Sequence, residues 1–254
     1  MILAIDIGNT NIVVGGIDRE KIYFIERIST NRTKTALEYA IDFSTIISLN
    51  HYKPGDFEGS ILSSVVPQIT NAVRGALERV LGKTPLVVGP GLKTGLNIAL
   101  DNPSEMGADR VADAVGAKHE YHLPVLIIDM GTATTLSVVD AQKRFIGGII
   151  MPGVMISLDA LTSKAAKLSG ISIDEPENLI GRNTVDCMKS GIVYGTASCI
   201  DGLISRIREQ IGEDLTVVAT GGLSGRIVPH CREKIILDEN LLLKGMMVLY
   251  YKNA

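Results

Sequence analysis

The sequence predicts an α/β protein made of two related halves, each built on a mixed sheet, and three observations carry that reading. A pattern of apolar strand, D-x-G with small polar residues, then a second apolar strand occurs twice, as ILAIDIGNTNIVVGGID from Ile2 and VLIIDMGTATTLSVVD from Val125, with Asp6 and Asp129 123 residues apart. β-Branched runs alternate with segments of helical periodicity along the whole chain. The 254 residues suffice for one large domain or two ordinary ones. A repeat at half the chain length is not a solenoid period and points to two α/β halves facing each other, here drawn at residues 1–123 and 124–254.

In the first half Ile2–Ile5, Ile12–Ile17 and Ile22–Ile28 read as strands of a meander, rich in β-branched residues and separated by Gly, Asn and Asp. Lys34–Ser48 is a helix of weaker pattern. Gln68–Leu81 is a stronger one, with Ile69, Val73, Leu77, Val80 and Leu81 at helical spacing. A long loop bearing Gly and Pro spans Gly89–Met106, and loops of that length are usually functional or mobile. A helix from about Gly107 to Tyr121 follows, with Pro124 resetting the chain. In the second half Val125–Ile128 opens a new meander. Met188, Ile192, Cys199, Leu203, Ile207 and Ile211 keep a stride near four and predict a long helix over Thr184–Ile211. On it Gly191, Gly195 and Gly202 allow close backbone approach, and Cys187 and Cys199 read as small core residues. Leu215–Ala219 is a strand and Leu241–Tyr251 a final helix.

Composition excludes several classes. With 46% hydrophobic and 21% charged residues the chain is ordered and globular, and folding at this length buries roughly 70–75% of the unfolded surface without a covalent staple. A net charge of −3, with no basic run, argues against a general nucleic-acid binder. Three cysteines without C-x-x-C spacing disfavour a disulfide framework or a structural zinc site and fit a reducing cytoplasm. The opening MILAID has no basic n-region or cleavage signature. The longest apolar stretch, Phe145–Leu158, is interrupted by Pro152 and falls short of the ~18 residues of a membrane helix. Neither a membrane span nor export is expected.

The two D-x-G motifs carry the chemistry. A turn of this kind puts a carboxylate at the end of a buried strand beside a glycine that lets backbone N–H groups approach an anion. Asn9, Thr10, Asn11, Thr132, Thr134 and Thr135 can donate to phosphate oxygens, while Asp6 and Asp129 hold cations that neutralise them. One copy alone reads more simply as an ordinary β-turn; two copies, each after an apolar strand, point to a nucleotide clamp. Thr220-Gly221-Gly222, closing a strand, either serves as a strand-to-helix turn or lets a flat ring lie on the backbone as an adenosine site. A P-loop is excluded, because Gly82-Lys83-Thr84 has Leu77 where the first glycine must stand. Gly89-Pro90-Gly91 lacks the spacing of a dinucleotide fingerprint, and His119-Glu120-Tyr121-His122 reads as an exposed helix end rather than a zinc motif.

These pieces, in this order, resemble the phosphate-1, phosphate-2 and adenosine motifs of the actin, sugar kinase and heat-shock chaperone ATPase superfamily. Over nearly its whole length the chain resembles the type III pantothenate kinases, on DIGNTN from Asp6, SSVVP from Ser63, GPGLKTG from Gly89, DNPSEMGADR from Asp101, DMGTATT from Asp129, GGIIMPG from Gly147, GRNT from Gly181 and TGG from Thr220. The resemblance implies two actin-like (ribonuclease H-like) domains with an ATP cleft between them, and transfer of the γ-phosphoryl group of ATP to the primary hydroxyl of pantothenate, giving 4'-phosphopantothenate, the first step of coenzyme A synthesis. It implies ATP contacts at Asp6, Ile7, Gly8, Asn9, Thr10, Asn11, Ile12, Val13 and Thr132, and pantothenate contacts at Gly107, Ala108, Asp109, Arg110 and Thr184. Asp109 is then the proton acceptor and Asp129 the ligand of a potassium or ammonium ion, with magnesium arriving on ATP and the active form a homodimer. Leu100 stands where many relatives carry tyrosine, and Ser169 where proline is common.

The residues make chemical sense of this on their own terms. Arg110 suits the pantothenate carboxylate in fork geometry. Asp109, its neighbour, points about 100° away on a helix, so the two charges do not cancel. The helix dipole is expected to keep Asp109 ionised. The simpler alternative is that Asp109 caps a helix and Arg110 is solvated. Periodicity and charge do not separate pantothenate from another small acid or a sugar as acceptor, and relatives of this fold also act as transcription accessory proteins. The long Gly-bearing helix, apolar on more than one side, predicts dimerisation through the second half.

Overall fold

The structure is a computed structural model describing residues 1–165, 168, 170–212 and 214–254; Ser169 lies outside the described residues. In chain order its elements begin with β1 (Ile2–Ile7), β2 (Asn11–Ile17), β3 (Ile22–Ser29), α1 (Ala36–Leu49), β4 (Ser60–Ser64), α2 (Pro67–Leu81), β5 (Leu86–Val87), β6 (Asn97–Ile98) and α3 (Ala108–Glu120). They continue with β7 (Val125–Met130), β8 (Ala133–Val139), β9 (Arg144–Pro152), α4 (Val154–Lys164), α5 (Thr184–Ile211), β10 (Thr216–Thr220), α6 (Ser224–Ile227), β11 (Ile236–Leu237) and α7 (Leu241–Asn253). The chain divides into one unit of Met1–Leu96, Asp101–His119 and Leu241–Ala254, and a second of Asn97–Leu100 and Glu120–Asn240.

The first unit is a five-stranded sheet in the order β3-β2-β1-β4-β5, with β1 antiparallel to β2 and parallel to β4. β1 is a nearly continuous apolar run because both its faces are covered. Leu3, Ile5 and Ile7 pack with Tyr39, Phe43 and Ile47 of α1 and Ile69, Val73 and Leu77 of α2. α1 starts on a capping box in which Thr35 Oγ1 accepts from Glu38 N–H while the Glu38 carboxylate accepts from Thr35 N–H, an arrangement worth about 1 kcal/mol. α2 opens with Pro67 at its first position and closes on Gly82 in the left-handed conformation.

α7 packs against β1, β2 and β4 and crosses α3 at two glycines. A Cβ on Gly245 would overlap Ala112 O and stand 3.0 Å from Gly116 N. The C-terminal segment therefore completes the first unit, a departure from a single cut at Leu123.

The second unit repeats the plan. Its sheet runs β11-β10-β7-β8-β9-β6, with β7 antiparallel to β8 and parallel to β10. Asp6 pairs with Ser63 across the parallel ladder, as Asp129 pairs with Thr220. The added edge strand β6 lies within Gly89–Met106, read from sequence as loop, and hydrogen-bonds parallel to β9. α5 spans Thr184–Ile211 as its periodicity predicts.

Two expectations about α5 change. Its buried stripe is Met188, Ile192, Val193, Ala197, Ile200 and Ile204, so Cys187 and Cys199 fall off the seam and are exposed. Among the described residues a Cβ on Gly191, Gly195 or Gly202 would meet nothing within 4 Å, so there these glycines serve no close packing.

Candidate active site

In the first unit β1 ends at a turn closed by Gly8 N–H donating to Asn11 O at 3.0 Å. Thr30, just past β3, takes two carbonyls of that turn, its Oγ1 donating to Gly8 O at 2.6 Å and its N–H to Thr10 O at 2.9 Å. Asn9, Thr10 and Asn11 are exposed, while Ile7 and Ile12 are core side chains that could meet a nucleotide only through backbone. Arg32 Nη2 donates to Asn9 Oδ1 at 3.2 Å. Nothing in the sequence pattern marked Arg32, a loop residue of no periodicity. Beside Asp6, the fully buried Ser63 hydroxyl has no hydrogen-bond partner among the described residues.

Gly107, Ala108, Asp109 and Arg110 form the start of α3, all half-buried. Asp109 Oδ1 accepts the Arg110 backbone N–H at 2.7 Å. A Cβ on Gly107 would stand 2.5 Å from that same oxygen and 3.6 Å from Val65 Cγ1, and Val65 N–H donates to Ile7 O at 3.1 Å. Glycine at 107 thus makes room for the carboxylate beside the segment that docks on the end of β1. Burial pushes the Asp109 carboxyl above the usual aspartate value, against the lowering pull of the Arg110 N–H and guanidinium. Burial, the largest influence, thus sets the direction of the shift at this helix start. Burial also lowers the Arg110 pKa, which Asp109 raises; a guanidinium remains charged regardless.

In the second unit the turn after β7 is one residue shorter, Met130 pairing with Thr134 where Ile7 pairs with Ile12. Asp129 is half-buried and Thr132 exposed. Gly221, with φ +91°, lies against this carboxylate: a Cβ there would run into Asp129 Oδ1 and come within 2.6 Å of Met130 N. The second D-x-G motif and the TGG motif are thereby brought together. Gly153 from GGIIMPG packs on the same turn, where a Cβ would lie 2.7 Å from Gly131 O. Thr184 is exposed at the first turn of α5, capped by Asn183 Oδ1, which accepts from Asp186 N–H at 2.9 Å. Leu100 follows β6 and is half-exposed.

Among the described residues no three His, Cys, Asp or Glu side chains gather as a metal site.

The family model described as Type III pantothenate kinase matches residues 2–206. A type III pantothenate kinase of Exiguobacterium sibiricum is 46% identical over 253 residues, covering all of both chains. Among solved structures, the (R)-2-hydroxyglutaryl-CoA dehydratase component A of Acidaminococcus fermentans is similar with TM-score 0.58 at 16% identity, covering 99% of this chain and 97% of that one. A ROK hexokinase from Thermus thermophilus is similar with TM-score 0.51 at 16% identity, covering 99% and 98%. These two likenesses establish the fold, two actin-like α/β units of the sugar-kinase type. The chain belongs to the type III pantothenate kinase family, enzymes that use ATP with a divalent metal to phosphorylate pantothenate in coenzyme A biosynthesis.

Proposed function

We propose that Asp109 accepts the proton of the pantothenate primary hydroxyl as that oxygen attacks the γ-phosphorus of ATP. The new P–O bond forms as the bond to the β-phosphate oxygen breaks, ADP leaves with the electron pair, and the proton rests on Asp109. The observation that carries this reading is the half-buried Asp109 carboxylate facing Gly107, its pKa raised by burial. A raised pKa makes a stronger proton acceptor while the group is still ionised. Arg110 pairs with the pantothenate carboxylate, helped by Gly107 and Ala108 backbone and by Thr184. The turn from Asp6 to Val13, with Thr132, holds ATP phosphates through N–H, amide and hydroxyl donors. Phosphoryl transfer asks mainly for positioning and neutralised charge, and these residues supply both. A potassium or ammonium ion at Asp129 would add positive charge beside the phosphates.

Asp109→Asn keeps shape and acceptor geometry but loses basicity, so kcat is expected to fall about 10²- to 10⁴-fold, with ATP binding nearly unchanged. The variant should also be more stable than the parent at neutral pH. The raised folded-state pKa means the protonated carboxyl favours the native state at low pH, and that advantage is lost as pH rises through the folded pKa. Near-normal turnover, or ATP affinity lost in proportion to rate, would reject the assignment. Replacing potassium and ammonium with sodium should depress phosphopantothenate formation.

The homodimer forms through the second unit. There α5 presents Gly191, Gly195 and Gly202 to open space, and Ile150, Met155, Ile156, Leu179 and Ile180 are exposed, Ile180 by 82%. Large apolar side chains left exposed on one unit favour an association face there. Sedimentation as a stable monomer at micromolar concentration would contradict it. A cytoplasmic location suits three free cysteines, two of them exposed.

A further inference from the structure

We infer that Arg32 is a phosphate-contacting residue of the kinase, supplying from the β3–α1 connection the positive charge that the D-x-G turn lacks. DIGNTNIV contains a carboxylate and neutral donors but no cation, whereas its ligand, a nucleoside triphosphate, carries several negative charges. Arg32 reaches this turn directly, its Nη2 donating to Asn9 Oδ1 at 3.2 Å.

Its position is built rather than incidental. Thr30, two residues earlier, is bonded to Gly8 O and Thr10 O. Asn31 O accepts from the hydroxyl of the fully buried Tyr39 at 2.6 Å. Asn31 Oδ1 in turn accepts from Thr33 N–H at 2.9 Å and Thr33 Oγ1 at 2.8 Å. Both sides of Arg32 are thus fixed to the turn and to α1.

Its charge is also unspent. Lys34, the next cation along, is ion-paired with Asp42 at 2.7 Å. Arg32 is exposed and, among the described residues, meets a neutral amide rather than a carboxylate. A guanidinium has five donors, so the bond to Asn9 leaves a fork free for phosphate oxygens. Holding Asn9 by its oxygen also orients the amide so that its NH₂ remains available to the same ligand.

The inference rests on the reading that this turn binds ATP phosphates, and its test separates the two. Steady-state kinetics with both substrates and competitive inhibition by ADP and by adenosine are measured for Arg32→Ala, Arg32→Gln, Arg32→Lys, Lys34→Ala and Asp6→Asn, with thermal melts. Arg32→Ala and Arg32→Gln should lower kcat/KM for ATP about 10- to 100-fold and weaken ADP in parallel. Adenosine inhibition, KM for pantothenate and the melting temperature should stay close to the parent's, and Arg32→Lys should recover part of the loss. Lys34→Ala should match the parent.

If Arg32→Gln keeps ATP and ADP affinity while Asp6→Asn loses them, Arg32 has no such role and the turn reading stands. If neither change affects ATP, both readings fail. Equal loss of ADP and adenosine would also overturn the inference, since a phosphate contact cannot weaken a ligand without phosphates.

Discussion

The two D-x-G hairpins share a strand plan and differ in how their turns are finished. The first spends an extra residue, ties its carbonyls to Thr30 and leaves Asn9, Thr10 and Asn11 exposed beside Arg32. The second is shorter and boxed in, with Gly153 over its carbonyls and Gly221 against the Asp129 carboxylate. The same hairpin exposes polar side chains in one place and seats a single carboxylate closely against glycine in the other. The step after the paired strand marks the contrast: Ser64 in the first unit, with its own hydroxyl bonds to Thr70 and Val66, and Gly221 in the second, where no side chain fits.

Substitutions at equivalent places break or sharpen that contrast. Gly221→Ala, strained by its positive φ and by contact with Asp129 and Met130 backbone, should cost about 100-fold or more in kcat, because small displacements of a reacting constellation are amplified in rate. Activity near the parent's would mean the second turn does not seat Asp129 closely. Arg110→Ala should raise KM for pantothenate about 10-fold with a smaller effect on kcat, the signature of a contact present in both ground and transition states. Gly8→Ala places a Cβ 3.1 Å from Asn11 O, a crowding the exposed turn can relax. KM for ATP should rise only about fivefold, roughly 1 kcal/mol. The smallest kinetic effect belongs to Ser64→Ala, expected to cost about 1 kcal/mol in urea unfolding while rates stay within about twofold.

The repeat, the strand pairs and α2 and α5 were legible because their signals are local: strand alternation, a proline start, a stride near four. The docking of α7 on the first unit was not, since Gly116 and Gly245 meet through a crossing of helices remote in sequence. β6 escaped because a two-residue strand has no periodicity and exists only by its register with β9. On α5 the stride is legible in sequence but the exact seam is not. A seam of mixed three- and four-residue steps passes through Ala197 and Ile200, not Cys199. At the site, D-x-G, GADR and TGG were readable as motifs. The contact of Gly221 with Asp129 depends on parallel β7–β10 pairing, and the Arg32 bond on a loop folding back, and neither is encoded in spacing.

The most direct test of Asp109 as proton acceptor is the pH dependence of kcat/KM for pantothenate at saturating ATP, in the parent enzyme and in Asp109→Asn. Because burial raises the Asp109 pKa, activity should fall on the acid side with a midpoint above the ordinary aspartate value of about 3.9, and the residual activity of the variant should lack that limb. An acid limb that persists unchanged in Asp109→Asn would assign the proton acceptor to another group.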